Sequence, residues 1–318
     1  PRFLDELASR RAGGYQTPGL LWRERGELRR NPPLFDGYPG GRGSLDWESI
    51  DFKRYRGRAM NCCVVTKTGC PHRCLFCDAH ETFGAEYRPR APEDIVEDLR
   101  RDATERGFHT LDYIFIDACF NEPLDWSKEV LEALIRYERE LLFTVIVEPT
   151  PTVDRELVRL LKRAGCGMIT SLVGSFDDEV LAQGRRPFTV ADAHRCFQLC
   201  EEEGLPYMPQ LLLGGPGETP GTVTGNRAHL KRRRPLMVDA GSGLRILPRS
   251  GLRAVAVAEG VIDGADDLLT PRFYLSEALR GQEDWLAQQA KRMSRFRVSS
   301  IPQWWRYLRR SRVVAKQR

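Results

Sequence analysis

The sequence predicts an α/β protein: a parallel sheet curved into a partial (β/α)6 barrel of the TIM type, with a hairpin before it and helices after it. Three observations carry that expectation. Six short apolar runs alternate with helical segments over about 190 of the 318 residues, and such alternation implies a parallel sheet with helices outside. The runs are continuously apolar rather than alternating, as strands buried on both faces are. Six units are too few for a closed eightfold barrel. A doubly wound open sheet is the alternative that the same pattern allows.

Residues 19–33, GLLWRERGELRRNPP, read as a hairpin whose first strand is Leu20–Arg23, with a turn at Gly26 and an end at Pro32–Pro33. GYPGGRGS after it is loop. The first barrel strand is CCVVTKT. PEDIVEDLRRDATERG then opens a helix with proline, and acids fill its first turn. LDYIFID, LFTVIVE, MITSLV and YMPQLLLGG are the next four strands. Between them lie WSKEVLEALIRYERE, VDRELVRLLKRAG (closed by Gly165), FDDEVLAQ and VADAHRCFQLCEEEG (closed by Gly204), all with apolar residues three and four apart. PGTVTGNRAHLKRRR is a weaker helix interrupted by Gly225, and MVDAGSGLRIL is the sixth strand. AVAVAEG and LSEALRGQEDWLAQQAKRM are helical.

The expected organisation has three parts. Residues 1–59 are a connector following an upstream domain absent from this chain, residues 60–250 are the barrel, and residues 251–318 are a helical extension with a basic tail. The opening PRFLDELASR lacks an initiator methionine, which fits a fragment.

Composition narrows the class. With 41% hydrophobic and 29% charged residues the chain is globular. No uncharged apolar run approaches the ~18 residues of a membrane span, and no secretory signal opens the chain. The nine cysteines are therefore expected as reduced thiols or metal ligands in a cytoplasmic protein. The net charge of +5 conceals an asymmetry. Lys291–Arg318 holds ten Lys and Arg and no acid, which leaves −5 for the rest.

The chemistry concentrates in GCPHRCLFC, with Cys70, Cys74 and Cys77. A structural zinc site is closed by four protein ligands. His72 sits between the first two cysteines, where it cannot easily share one ion with both. Cys119 and Cys166 are isolated, and Cys196 and Cys200 lie one helical turn apart. An iron–sulfur cube takes one thiolate per iron, so three thiolates leave one iron open. The motif also follows the first strand, at the carboxyl end of the sheet, where parallel α/β proteins place their chemistry. A zinc site completed from a distance and a chance spacing of buried thiols are the alternatives.

The CxxxCxxC pattern of CPHRCLFC, with the aromatic Phe76 before its last cysteine, resembles the radical S-adenosylmethionine (SAM) superfamily. The resemblance implies a partial barrel of radical SAM type. It also implies a [4Fe–4S] cluster on Cys70, Cys74 and Cys77 whose open iron chelates SAM. An electron from the cluster then cleaves SAM to a 5′-deoxyadenosyl radical.

Further segments sharpen the resemblance. LLLGGPGET, with Gly214 and Gly215, is similar to the G-x-P-G-E-T segment of a subgroup containing cobalamin-dependent enzymes and methylthiotransferases. Residues 155–181 resemble that subgroup's third helix and fourth strand, which ends in Gly-x-Glu-Ser. Here Leu172-Val173-Gly174-Ser175 keeps the serine and replaces the glutamate with Gly174. Ser175 is then a SAM contact, or simply a helix cap. FIDACFNEP places Asp117 and Asn121 in the cleft by the same resemblance, with Glu122 facing either the SAM ammonium or solvent. Glu148, ending the third strand, and Arg245, on the sixth, are further cofactor-binding candidates at the barrel mouth. No catalytic residue is singled out. G-L-x-x-R-x-x-G-E-x-x-x-N-P resembles the connector to an upstream cobalamin domain, while DAHETFG reads as loop.

These implications together predict a radical SAM enzyme that methylates an unactivated carbon with cobalamin. A different radical outcome, such as ring closure, sulfur insertion or methylthiolation, is the alternative. So is a non-catalytic iron–sulfur or zinc module. The expected partners are a small-molecule substrate and a low-potential donor such as flavodoxin or ferredoxin. The basic, tryptophan-bearing tail reads as a solvated helix packing its tryptophans on the barrel, with peripheral membrane contact the next reading and nucleic acid after it.

Overall fold

The computed structural model describes residues 2–9, 15–33, 61–105, 112–137 and 141–294. The GYPGGRGS segment and the basic tail lie outside these residues. The chain divides into two compact units, residues 1–41 and 42–318.

The smaller unit holds α1 (Arg2–Ala8) and a hairpin of β1 (Leu21–Glu24) and β2 (Glu27–Arg30). Arg25 and Gly26 form a two-residue turn with φ of 49° and 87°, the left-handed pair that matches the twist of a hairpin. The Glu6 carboxylate accepts from the Gln16 and Thr17 N–H groups, at 3.0 and 3.1 Å, and so ties the helix to the segment before the hairpin. Tyr15 packs edge-on against both Phe3 and Trp22.

In the larger unit β3 (Asn61–Val64) leads into a short strand β4 (Lys67–Thr68), then α2 (Ala79–Phe83) and β5 (Arg88–Pro89). The regular alternation follows: α3 (Pro92–Glu105), β6 (Asp112–Phe115), α4 (Leu124–Arg136), β7 (Leu142–Ile146), α5 (Arg155–Ala164), β8 (Cys166–Gly174). It continues with α6 (Asp178–Gln183), α7 (Val190–Glu203), β9 (Tyr207–Leu213), α8 (Pro220–Lys231) and β10 (Asp239–Ser242). Six strands pair in parallel in the order β10-β9-β8-β7-β6-β3. The expected six-unit parallel sheet is therefore present.

Side-chain alternation explains its two faces. Phe115, Phe143, Val145, Ile169 and Leu211 are buried with the helix residues Val130, Leu134, Leu157, Leu161 and Phe197. Phe115 stacks on Phe143 at 4.8 Å between centroids. Burying one such ring contributes about 1.5–3 kcal/mol. The opposite face is half-buried. Register aligns Ile114, Thr144 and Met168 in one row, Ile146, Thr170 and Met208 in the next, and Leu172 with Gln210 beyond. The helix starts are fixed locally. Asp154 accepts from the Leu157 N–H, and Thr189 and Thr219 form capping boxes with Asp192 and Thr222.

Three expectations are corrected. The run MVDAGSGLRIL is not one strand. It breaks after Ser242, and β11 (Leu244–Arg245) turns away to pair with β12 (Phe273–Tyr274) in a separate sheet. DAHETFG contains a helical turn, α2, where a loop was expected. Gly225 does not interrupt α8, because it sits in open space on an otherwise regular helix. After β11 come α9 (Gly251–Ala258), a 3₁₀ turn at Glu277–Leu279 and α10 (Glu283–Met293). Buried side chains of α10, Leu286, Ala290 and Met293, share one apolar core with the sheet. No helix among the described residues is long and apolar enough to cross a membrane.

Candidate functional site

The cysteine loop is closed at its base by β4 and β5, which pair Lys67 with Pro89 and Thr68 with Arg88. Gly69 begins it with φ of 79°, and a Cβ there would stand 1.8 Å from the Glu86 carbonyl oxygen. Only glycine fits. The Cys70 N–H donates to the Gly84 carbonyl. At the far side the Leu75 N–H donates to Gly184 O at 3.0 Å, and Leu75 O accepts from the Leu252 N–H at 2.7 Å. The Leu75 side chain anchors a second apolar cluster with Leu244, Ile246, Leu252 and Ala256.

Two of the three sulfurs accept from an N–H donor. Cys77 accepts from the Ala79 backbone at 3.4 Å, while the His72 backbone and the Tyr87 hydroxyl favour charge on Cys70. Cys74 accepts from the Arg186 guanidinium, Nη1 to Sγ 3.1 Å. Burial pushes the Cys70 thiol up and the Cys74 thiol up to about 11. These donors lower the cost of negative charge on sulfur. A bound metal would complete the change to thiolate. A donor set of three cysteines on one loop, with N–H donors on Cys74 and Cys77, fits an iron–sulfur cluster with one iron not held by cysteine.

Arg186 is the centre of the β8 side of the site. Its Nη2 donates to Glu148 Oε2 at 2.8 Å and to the Leu172 carbonyl. The guanidinium lies over the rings of Phe76 and Phe188, 5.4 and 5.0 Å from their centroids. Burial raises the Glu148 carboxyl, and the neighbouring Arg186 opposes the rise.

Opposite lies a second polar group. Glu122 Oε2 meets His72 Nε2 and the Tyr87 hydroxyl, each at 2.8 Å. Burial works against the Glu122 carboxylate, but these two hydrogen bonds hold it below the usual range. The Lys67 ammonium reaches the Cys119 carbonyl and stands 4.9 Å from the Tyr87 centroid. His72, Cys119 and Glu122 lie close enough to hold one ion. The adjoining Lys67 ammonium, which interacts with both Cys119 and Glu122, already supplies the positive charge there.

The sequence candidates divide by what their polar atoms do. Asp117 is buried and accepts from the Thr66 and Lys67 N–H groups, at 2.8 and 3.1 Å, and from the Thr66 hydroxyl. Asn121 has both amide atoms engaged with the Glu148 backbone, at 3.0 Å each. These two tie strand ends together. Ser175 is buried with its hydroxyl 3.4 Å from Asn226 Oδ1. Gly214 and Gly215 donate their N–H groups to Glu218 Oε2. Arg245 lies on β11, outside the six-stranded sheet, and its side chain is exposed. Gly174 has φ of 83° with nothing within 4 Å of where a Cβ would stand.

Arg186, Lys67, Tyr87, Glu218 and Asn226 were not singled out from the sequence. Glu218 had a signal in the Gly-Pro-Gly-Glu turn. Arg186 had none, since nothing local sets it apart from Arg185.

Comparisons agree with this geometry. The model of the Radical SAM superfamily matches residues 64–224. Tryptophan 2-C-methyltransferase of Streptomyces laurentii is 29% identical over 235 residues, 70% of this chain and 38% of that protein. The radical S-adenosylmethionine methyltransferase TsrM from Kitasatospora setae, solved with tryptophan substrate and a SAM analogue, aligns with TM-score 0.75 and 23% identity. That match covers 90% of this chain and 64% of TsrM. The cobalamin-dependent S-adenosylmethionine radical enzyme OxsB, with aqua-cobalamin bound, gives TM-score 0.68 at 15% identity over 90% of this chain and 48% of OxsB. The chain spans half or less of the length of the curated relatives it matches.

Proposed function

The chain belongs to the radical SAM superfamily, and from that premise we propose that residues 42–318 carry the reductive core of a cobalamin-dependent methyltransferase acting on an unactivated carbon. The observation that carries the reading is the shape of the cysteine loop: Cys70, Cys74 and Cys77 on one loop fixed at Gly69 and Leu75, with N–H donors on Cys74 and Cys77. Cys70, Cys74 and Cys77 would hold a [4Fe–4S] cluster, and SAM would bind beside it. When bound, the cluster supplies the electron for reductive cleavage of SAM.

The chain's own residues then orient and exclude. Gly69 and the β4–β5 pair fix the loop's entry, and the two backbone bonds to Leu75 fix its far side. Glu218 holds the Gly214–Gly215 backbone, so the turn keeps one shape against a ligand. The half-buried face of the sheet offers Ile114, Ile146, Met168, Leu172 and Met208 beside Thr144, Thr170 and Gln210, a mostly apolar lining with a few polar groups, suited to a carbon acceptor. The methyltransferase names of the relatives support the outcome, and the OxsB likeness and the hairpin motif support cobalamin. Residues 1–41 are then the connector to a cobalamin-binding segment. A cytoplasmic setting and a flavodoxin or ferredoxin donor complete the proposal.

Anaerobic reconstitution with iron and sulfide tests it, followed by SAM, cobalamin and a low-potential reductant. We expect about four iron per chain, three held by cysteine and one open, with 5′-deoxyadenosine and S-adenosylhomocysteine as products. Cys74→Ala should abolish both products. Uptake of zinc alone, or products that survive Cys74→Ala, would sink the reading.

A further inference from the structure

We propose that Arg186 raises the reduction potential of the cluster by donating a charged hydrogen bond to Cys74, with Glu148 as the anchor that holds and partly offsets its charge. The inference rests on the cluster assigned above to Cys70, Cys74 and Cys77.

The contrast among the three sulfurs carries it. Cys77 accepts from the Ala79 backbone N–H, and the groups that favour charge on Cys70 are the His72 backbone and the Tyr87 hydroxyl, all of them neutral dipoles. Cys74 accepts from a guanidinium, Nη1 to Sγ 3.1 Å. Charge-assisted hydrogen bonds are roughly twice as strong as neutral ones. The Arg186 side chain is 4% exposed, so solvent screens its charge little. It is also immobilised: Nη2 is held by Glu148 Oε2 and the Leu172 carbonyl, and the plane rests on Phe76 and Phe188.

Reduction adds one negative charge to the cluster and its thiolates. A fixed cation at one sulfur favours the reduced state and raises the potential. The Glu148 carboxylate lies on the other side of the same guanidinium and works the opposite way. Arg186 and Glu148 therefore act as a positioning pair with opposed effects on one redox couple. Sequence separation hides this, since Arg186 is brought to Cys74 from 112 positions away.

The test is a redox titration of the reconstituted chain without SAM, monitored by the EPR signal of the reduced cluster. Leaving SAM out keeps any role of Arg186 in SAM binding away from the readout. For Arg186→Met we expect the reduced-to-oxidised ratio at the wild-type midpoint to fall about tenfold. That equals about 59 mV for a one-electron couple. Arg186→Lys should shift the same way by less. Glu148→Gln, which keeps an acceptor for Nη2 but removes the charge, should shift the midpoint upward. The Arg186→Met/Glu148→Gln double variant leaves no buried charge unpaired, and it guards against misfolding of the single variant.

Opposite signs for the Arg186 and Glu148 variants would establish the pair. Clusters with normal iron content and unchanged midpoints would overturn it, as would shifts of the same sign, which mere loosening of the site would give. Failure of the wild-type chain to assemble a cluster would instead overturn the functional reading.

Discussion

The two flanks of the cysteine loop are both buried and both polar, yet they treat their polar atoms differently. On the β6–β7 flank everything is spent within the protein. Asp117 accepts three hydrogen bonds, Asn121 engages both amide atoms, and Lys67 reaches a carbonyl. On the β8–β9 flank three buried polar atoms have no hydrogen-bond partner among the described residues: Arg186 Nε, Glu218 Oε1 and Asn226 Nδ2. A fourth, Ser171 Oγ, sits on the helix-packed face with Ile169 and Val173. Buried polar groups are almost always paired, and the exceptions need an explanation. The difference teaches that proximity to a site does not assign a role. The first flank is a brace, and the second retains hydrogen-bonding capacity of the kind a ligand uses.

The comparison can be broken most forcefully at Asp117. Asp117→Ala would leave two buried N–H groups and the Thr66 hydroxyl without their acceptor, and would take a stabilising negative charge from the buried Lys67 ammonium. Removing one member of a buried charged network costs about 3–5 kcal/mol. Urea unfolding should show that loss in the apo chain, and a change below about 1 kcal/mol would contradict the bracing role.

A middle-sized effect is expected at Glu218. Burial pushes its carboxyl up to about 7, against the pull of the Gly214 and Gly215 N–H groups. Because the folded-state value lies above the ordinary one of 4.5, the unfolded chain releases this proton first as pH rises. Its contribution to stability is therefore complete below about pH 4.5 and is lost as pH rises through about 7. Melting curves of wild type and Glu218→Gln should differ in slope across that window, by a few kcal/mol in total. Parallel curves would count against the assignment.

Ser171 offers the smallest and most discriminating change. Its hydroxyl is buried and has no partner among the described residues, so Ser171→Ala removes a desolvated group at little cost, within about 0.5 kcal/mol. Because it shares the helix-packed face with Ile169 and Val173, SAM affinity measured by equilibrium dialysis on the cluster-loaded chain should stay unchanged. A fall of about fivefold to tenfold, as for one lost hydrogen bond, would place the hydroxyl at a ligand instead.

How much of this was legible follows from the same contrast. The cysteine loop announces itself because the cluster proposed there would demand fixed spacing. The strands do so because burial on both faces demands unbroken apolar runs. Glu148 could be guessed from its place at a strand end, but its partner could not. Arg186 sits in GRRP between two helices, and only tertiary packing sends it inward while Arg185 takes a left-handed backbone with φ of 52°. Asp117 and Asn121 were placed at the cleft by resemblance, and the sequence could not say that their polar atoms are already spoken for. The false continuation of the sixth strand has a similar origin. GLRIL has strand composition, but its pairing partner is β12 rather than β9.

Leu75 hangs from two strings, one tied to Gly184 and the other to Leu252. Ribosomes release the chain from its N-terminus, so the nascent protein carries Cys70, Cys74 and Cys77 for roughly 180 residues before the second string exists. Iron delivered during translation would meet a loop still unfastened, with its thiols open to oxidation. On the proposed cluster reading, the loop would be fastened at both ends only once the chain has been made through Leu252.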